Sequence, residues 1–451
     1  MADAYSLGIA ATARQIREKQ LSPMTLAQSL LNRIDRLEPE LRAWVTIDRE
    51  EVLNAAKQRE SELDGSSLGP LHGVPIGLKD IFYTAGMKTS ACSRIFADFV
   101  PSYDATTVSR LKAAGAIILG KAVTTEFASG DPSPTRNPWN PAHTPGGSSS
   151  GSSVAVATGM CSAALGSQTG GSTCRPAAYN GIVGLKPTYG RVSKYGVVPL
   201  SWSLDTVGIL VRSVEDAAIM LQALSGHDPL DPASSTEPVP DFSSQMAQQT
   251  RPPRIGLIKD FFFQRSTPEV QGHTERAAQK LADAGAVVEE VQLPESFATA
   301  HSCQRIVSNV EAAAFHQKWY RDRADEYGPK IRSSIEMGLL ISGVDYLQAQ
   351  RQRRQLRMDL VEMVGQVDAV LMPSTPAPAP QDLTTTGEAV FQAPWTSSGL
   401  PTITIPSGVA GSGLPLGIQL AGLPFAEGKL LGVARWCEEA LEVDLWPPDY
   451  L

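Results

Sequence analysis

Three segments of the sequence carry amine and hydroxyl side chains in a pattern typical of nucleophilic catalysis. Lys79 ends the apolar run GVPIGLK, Ser148 is the first serine of PGGSSSG, and Ser172 ends SQTGGS, 24 residues later (172 − 148). A serine hydroxyl is a poor nucleophile unless a base removes its proton. Because no histidine lies in these segments, the candidate base is the amine of Lys79.

Lysine acts as a base only when it is uncharged, and its unperturbed pKa is about 10.4. Burial disfavours the ammonium form, and lowering the pKa to ~7–8 corresponds to about 3.5–4.5 kcal/mol. Asp80 is adjacent, but strand alternation directs it to the opposite face. Ser148, as both donor and acceptor, is placed to relay a proton between Lys79 and Ser172. The alternative is a lysine that reaches solvent from a strand end.

The segment that ends at Ser172 is suited to hold a negatively charged oxygen. Successive backbone N–H groups of Thr169, Gly170, Gly171 and Ser172 can form a concave nest around an oxyanion, and glycine keeps side chains out of it. A plain turn is the alternative. Ser167, just upstream, is a candidate hydrogen-bond partner of Ser148 or a structural hydroxyl.

The serine-rich run Thr144–Gly159 has two competing interpretations. Gly/Ser runs are commonly flexible linkers, but SSVAVATGMCSAALG suits a tightly packed buried helix followed by a strand. Residues 147–151 also match G-x-S-x-G, the nucleophile elbow of α/β-hydrolases. That motif needs a strand directly before it, and the prolines of TRNPWNPAHTP exclude a central strand there.

The elements around these motifs alternate between helix and strand. SPMTLAQSLLNRIDRLEP begins with a capping serine and a proline at the first helical position, and DREEVLNAAKQRESELDG has acids in its first turn. DATTVSRLKAAGAIILGK predicts a helix, a glycine turn and a strand. The alternation predicts an α/β fold with a mostly buried, mixed sheet.

The later part of the chain suggests an interrupted sheet. Residues 228–254 are rich in Pro, Ser and Gln and predict a variable surface loop, and a helical insertion is expected over about 267–365. The apolar runs DAVLMPS, PTITIPS and LGIQLAG then predict three strands. We therefore expect one domain over residues 1–451.

Composition excludes several classes of function. The 39 basic and 47 acidic residues give a formal charge of −8, which argues against a nucleic-acid surface. No apolar run approaches the ~20 residues that cross a bilayer, and the start lacks the pattern of a secretory signal. Five unpaired cysteines are typical of the reducing cytoplasm, which is the location we expect. No metal-ligand motif is present, and no cofactor is predicted.

Together these motifs closely resemble those of the amidase signature family. The matching segments run from LHGVPIGLKD through TRNPWNP, TPGGSSSG, SQTGGS and GLKPTYGRVS to GLPLGIQLAG. The resemblance implies a central mixed β-sheet flanked by helices on both faces. It implies Lys79 as the catalytic lysine, Ser148 as the bridging serine held by a cis peptide, Ser172 as the nucleophile, and a homodimer as one oligomeric state.

The chain departs from the family pattern beside the nucleophile and late in the sequence. Many members have G-G-S-x-R, whereas here Cys174 stands at the arginine position and Arg175 follows it. This register resembles malonamidase-type members, whose arginine grips a substrate carboxylate, so Arg175 is a candidate substrate-binding residue or a structural arginine. Cys174 is interpreted as a packed thiol. Thr396 replaces an asparagine that is frequent in the family.

The resemblance implies an amidohydrolase that cleaves the C–N bond of a small linear amide through an acyl-enzyme on Ser172. Carbamates and ureas are alternatives, because the same nucleophile meets them with similar geometry. The glutaminase subunit of a tRNA amidotransferase, which feeds ammonia to a partner, is a further alternative. The position of Arg175 and the acidic charge balance favour the stand-alone enzyme.

Overall fold

The computed structural model describes residues 4–65 and 68–450, and within them the chain alternates between helices and strands. The strands are β1 Trp44–Thr46, β2 Pro75–Lys79, β3 Ile117–Ala122, β4 Ala163–Gln168, β5 Val183–Lys186, β6 Thr206–Val211, β7 Arg254–Leu257, β8 Val287–Glu290, β9 Ala369–Pro373, β10 Thr402–Val409 and β11 Pro415–Ala421. The helices are α1 Ile9–Arg17, α2 Pro23–Leu41, α3 Arg49–Ser61, α4 Thr106–Ala113, α5 Ser150–Ala157, α6 Cys174–Asn180, α7 Val214–Leu224, α8 Phe242–Ala247, α9 Asp260–Arg265, α10 Pro268–Asp283, α11 Ala300–Arg323, α12 Pro329–Leu340, α13 Gly343–Val364, α14 Ala393–Ser398 and α15 Glu427–Leu441.

The eleven described strands form one mixed sheet in the order β1-β3-β2-β4-β6-β5-β10-β11-β9-β7-β8. β2 is parallel to both neighbours, β3 and β4, whereas the pairs from β4 through β9 are antiparallel. β7 is parallel to β8 and β9. The predicted α/β class with a central mixed sheet is confirmed.

Helices cover both faces of this sheet. On β9, Ala369 and Leu371 pack into one hydrophobic cluster, while Val370 and Met372 pack into another. The first cluster includes residues of α7 and α15, and the second includes residues of α13. Alternate side chains of a strand point to opposite faces, so each strand is buried from two sides.

Local sequence patterns explain where α2 begins and how the serine-rich run folds. Ser22 Oγ accepts hydrogen bonds from the N–H groups of Met24 and Thr25 and begins α2, as its capping pattern indicates. Residues 144–159 are buried throughout, which is incompatible with a linker. A loop precedes α5, whereas a nucleophile elbow needs a strand there.

Glycines on the strands let the loops that carry Ser148 and Ser172 approach the sheet closely. A Cβ atom at Gly166 of β4 would lie 2.7 Å from Ser149 Oγ, and one at Gly208 of β6 would overlap the side chain of Thr173. The segments before α5 and α6 therefore rest directly on β4 and β6. This packing brings Ser148 and Ser172 to neighbouring parts of the sheet.

Two predicted regions contain elements that the sequence patterns did not indicate. The region 267–365 is mainly helical but includes β8, which pairs with β7 in the sheet. The loop 228–254 includes α8, whose Phe242 and Met246 are buried in the core. Both were missed because the apolar residues are few and lie among polar ones. Among the described helices, none has the length and apolar character needed to span a membrane.

Candidate active site

Lys79 lies at the end of β2 and is fully buried between two serine hydroxyls. Its Nζ donates to Ser148 Oγ at 2.7 Å and to Ser167 Oγ at 2.8 Å. Ser167 therefore contacts the lysine, whereas the candidate partner predicted from the sequence was Ser148. Asp80 turns away and accepts from the Ser90 hydroxyl at 2.5 Å, in agreement with strand alternation.

The surroundings of Lys79 favour its uncharged form. Burial lowers the pKa of Lys79 to about 7, and the charge of Arg175 acts in the same direction. Asp205 and Cys92 oppose this shift. Desolvation is the largest of these effects, because few solvent dipoles remain to stabilise an ammonium there. A substantial fraction of the amine is therefore available as a base at neutral pH.

The backbone of Ser172 is linked to the residue that follows Ser148. The Gly147–Ser148 peptide bond is cis. The N–H of Ser149 donates to the carbonyl oxygen of Ser172 at 3.3 Å. Ser172 is 8 % exposed, and its hydroxyl forms no hydrogen bond with any residue in the described part of the chain. Catalytic hydrogen bonds often close only when substrate is bound.

The loop after β4 presents unused backbone donors. The N–H groups of Thr169, Gly170, Gly171 and Ser172 donate to no acceptor in residues 4–65 and 68–450. Thr396 Oγ1 donates to the Gly170 carbonyl at 2.8 Å, and this hydrogen bond holds the loop in place. A Cβ atom at Gly171 would lie 2.7 Å from Gln392 Oε1, so a larger residue does not fit. The loop can thus receive an anionic oxygen.

Gln168 also holds this loop in place through hydrogen bonds. Its Oε1 accepts from the N–H groups of Thr173 and Cys174, both at 3.0 Å, and its Nε2 donates to Thr396 Oγ1 at 3.0 Å. Thr396, which departs from the family pattern, is therefore a positioning residue of the nest. Cys174 is fully buried, and burial raises the pKa of its thiol, as expected for a packed cysteine.

Arg175 is buried and bonds to loop oxygens. It donates to the carbonyl of Gly387 at 2.6 Å, to Thr386 Oγ1 at 3.1 Å and to the carbonyl of Gly147. Both terminal nitrogens are engaged in this way, a pattern that favours the structural alternative over substrate binding. Its contact with Gly147 ties the 386–387 segment to the residue before Ser148.

A buried carboxylate that the sequence analysis missed also supports the nest. Asp205 accepts from Thr169 Oγ1 at 2.5 Å and from the N–H groups of Leu200 and Ser201 at 2.8 and 2.9 Å. It is also the main group that opposes the lowered pKa of Lys79. The only local signal was an acidic residue between two apolar segments.

A cavity of about 690 Å³ adjoins these groups. Its wall includes Ser167, which contacts Lys79, and Thr169, which begins the nest. Ser172 is not part of this wall but lies three residues beyond Thr169. The cavity is therefore next to the candidate catalytic groups, and Ser172, the candidate nucleophile, is outside its boundary.

Known proteins resemble this chain over nearly its whole length. The sequence model of the Amidase family matches residues 25–431. The glutamyl-tRNA(Gln) amidotransferase of Geobacter metallireducens has a subunit that is 37% identical over 94% of this chain and 95% of its own. The corresponding subunit from Carboxydothermus hydrogenoformans is 37% identical over 97% and 98%. The structure of peptide amidase from Stenotrophomonas maltophilia aligns with a TM-score of 0.87 and 33% identity, covering 98% of each chain.

Proposed function

The chain belongs to the amidase signature family and is a hydrolase of carbon–nitrogen bonds, and on this premise we propose that it cleaves a carboxamide through an acyl-enzyme on Ser172. The observation that carries the proposal is the 2.7 Å contact between the buried Lys79 amine and Ser148 Oγ. The test is a panel of amides, esters and carbamates, with mass detection of an adduct on Ser172.

In the first half of the proposed reaction, Ser172 Oγ attacks the carbonyl carbon of the amide. Ser148 takes the proton of Ser172 as it passes its own to the neutral amine of Lys79. The resulting tetrahedral oxyanion accepts hydrogen bonds from the free N–H groups of Thr169, Gly170 and Gly171, which stabilise the charge as it forms. This step requires a hydrogen bond between the Ser148 and Ser172 hydroxyls, which is expected to form when substrate is bound.

In the second half, the proton returns through Ser148 to the leaving nitrogen, and the C–N bond breaks. Water then attacks the ester on Ser172 and is deprotonated by the same route. The carboxylic acid leaves, and Ser172 regains its proton. Arg175 acts in this scheme as a positioning residue that holds the carbonyl of Gly147 beside the relay.

The rate is expected to rise with pH because Lys79 works when unprotonated. With a pKa of about 7, the neutral fraction increases about tenfold between pH 6 and pH 8. We expect kcat/KM for an uncharged amide to rise by about that factor and then level off. The measurement is a kcat/KM profile from pH 5.5 to 9, and a flat profile would contradict lysine as the base.

Arg175→Ala distinguishes the two roles of this arginine. Loss of three buried hydrogen bonds is expected to lower the free energy of unfolding by about 3 kcal/mol and to lower kcat. If the role is positional, KM for acidic and neutral amides changes by the same factor. Thermal unfolding and kinetics on a matched pair, such as succinamate and butanamide, provide the measurement. A rise in KM confined to the acidic amide would instead assign substrate binding to Arg175.

A second candidate is the glutaminase component of an amidotransferase. The two amidotransferase relatives match nearly the full chain at 37% identity, and this likeness favours the glutaminase over a small linear amide. Such a component would work with a protein partner rather than as a homodimer. A glutaminase assay of the isolated chain, with size measurement alone and beside candidate partner proteins, separates the candidates.

A further inference from the structure

The cavity beside the catalytic groups has a mainly apolar wall. Its inner part is formed by side chains that are at most 9 % exposed, namely Ile81, Val198, Leu200 and Val207. Its outer part is aromatic and contains Tyr189, Tyr195, Trp202 and Phe315. Cavities of this volume with apolar and aromatic walls are typical of sites that enclose an organic ligand.

The charged side chains of the wall already have protein partners. Asp205 accepts the three hydrogen bonds described above, and Asp231 accepts from the N–H groups of Lys194 and Ala233 at 2.7 and 2.9 Å. Lys194 Nζ donates to the carbonyl of Trp202 at 2.5 Å and to Tyr189 Oη at 3.2 Å, and it lies 4.3 Å from the Tyr189 ring centroid.

The serine and threonine side chains of the wall are engaged as well. Ser203 Oγ donates to Glu311 at 2.7 Å, and Thr206 Oγ1 donates to the carbonyl of Leu204 at 3.3 Å. Ser167 bonds to Lys79, and Thr169 bonds to Asp205. Each aspartate, lysine, serine and threonine of the wall is therefore partnered within the protein.

The rim leaves apolar side chains in solvent. Trp202 is 49 % exposed and Leu230 is 58 % exposed, and the Trp202 ring meets Phe315 edge to face at 6.3 Å. A ligand that fills the cavity would cover these surfaces. The burial of apolar area would then supply binding free energy.

We propose that this cavity binds an aromatic or branched apolar substituent of the substrate amide. The inference rests on the proposed hydrolysis by Ser172, because Ser167 and Thr169 connect the cavity to the catalytic groups. It favours an apolar amide over glutamine, because the α-ammonium and α-carboxylate of glutamine would be buried in a mainly apolar wall, and burying charge is costly. Lys194, Asp205 and Asp231 of that wall are engaged in hydrogen bonds with neutral groups of the protein.

The test compares amides that differ by one phenyl ring. The matched pairs are propanamide with 3-phenylpropanamide and N-methylacetamide with N-benzylacetamide; glutamine is included, and kcat/KM of the full chain is measured for each. We expect at least one phenyl-bearing amide to exceed its matched amide by on the order of 100-fold. Equal values within both pairs, or a preference for glutamine, would overturn the inference.

A filled cavity provides the matched variant. Ala233→Phe places a ring in the wall and is expected to reduce kcat/KM for the preferred phenyl amide by about 10-fold or more. The loss on the matched amide without the ring should be smaller, because that substrate does not reach the filled space. The control Leu340→Ala, at a site 87 % exposed and outside the cavity wall, should change neither. Equal losses on both substrates in Ala233→Phe would contradict the proposed location.

Binding separates this inference from the proposed function. Ser172→Ala should bind the preferred phenyl amide, measured by calorimetry, and Ala233→Phe in that background should weaken binding by a similar factor. If wild-type protein forms an adduct on Ser172 but phenyl amides do not bind, the inference fails and the function stands. If they bind but no adduct or turnover occurs with any substrate, the proposed function fails and the cavity assignment stands.

Discussion

Ser172→Ala is expected to lower kcat/KM for every amide substrate by at least about 10⁴-fold, because the proposed acyl bond forms on the Ser172 hydroxyl. Ser172 is 8 % exposed, and among the described residues its hydroxyl has no hydrogen-bond partner and the N–H groups of residues 169–172 donate to no acceptor. Replacing it leaves the nest and the lysine in place. The residual rate therefore measures what those groups contribute without a nucleophile. The measurement is product release under saturating and subsaturating substrate.

The control for this variant is Ser243→Ala, at an exposed serine of α8. It should retain full activity and the same unfolding temperature as the wild type. Ser172→Ala should also unfold at nearly the same temperature, since its hydroxyl makes no hydrogen bond to the described residues that could be lost. An active Ser172→Ala protein would remove the nucleophile from the account.

Lys79→Ala is expected to reduce kcat by about 10²–10⁴-fold, the range attributed to general acid–base catalysis. The amine contacts Ser148 and Ser167, so its loss leaves the relay without a proton acceptor. Lys79→Arg should be nearly as inactive, because a guanidinium stays protonated at any working pH. The pH dependence assigned to residue 79 should also disappear from the residual activity.

Folding of the Lys79 variants is checked by thermal unfolding and circular dichroism. Lys88→Ala, at an exposed lysine in the segment that follows β2, serves as the control and should be fully active. Substantial activity in a folded Lys79→Arg protein would show that a permanently charged group suffices. In that case, the neutral amine would no longer be the base.

Short motifs allowed the candidate catalytic residues to be predicted, because each one leaves a local signature. Lys79 ends an apolar strand pattern, and the glycines around Ser148 and Ser172 mark loops with close backbone approach. The helices α2 and α3 and the strands β2 and β9 also followed from capping and apolar spacing. These features depend on neighbours within a few residues, so one sequence is enough to infer them.

The supporting contacts depend on residues far apart in the chain. Arg175 bonds to Thr386 and Gly387, more than 200 residues later. Asp205 bonds to Thr169 across two strands that pair only in the folded sheet. Strand pairing also determines β8. This strand is polar, and it forms because it can pair with the edge of β7. Such contacts arise from tertiary packing and leave no periodic pattern.

The most direct test of the account is the mass of the enzyme during turnover. The full chain is mixed with an ester or amide that bears a phenyl ring, and the reaction is quenched in acid. The protein is then digested, and the peptide that contains Ser172 is analysed by mass spectrometry. The account predicts the acyl mass on Ser172 in the wild type, slower accumulation in Lys79→Arg, and none in Ser172→Ala. Turnover without any adduct, or an acyl group on another residue, would contradict it.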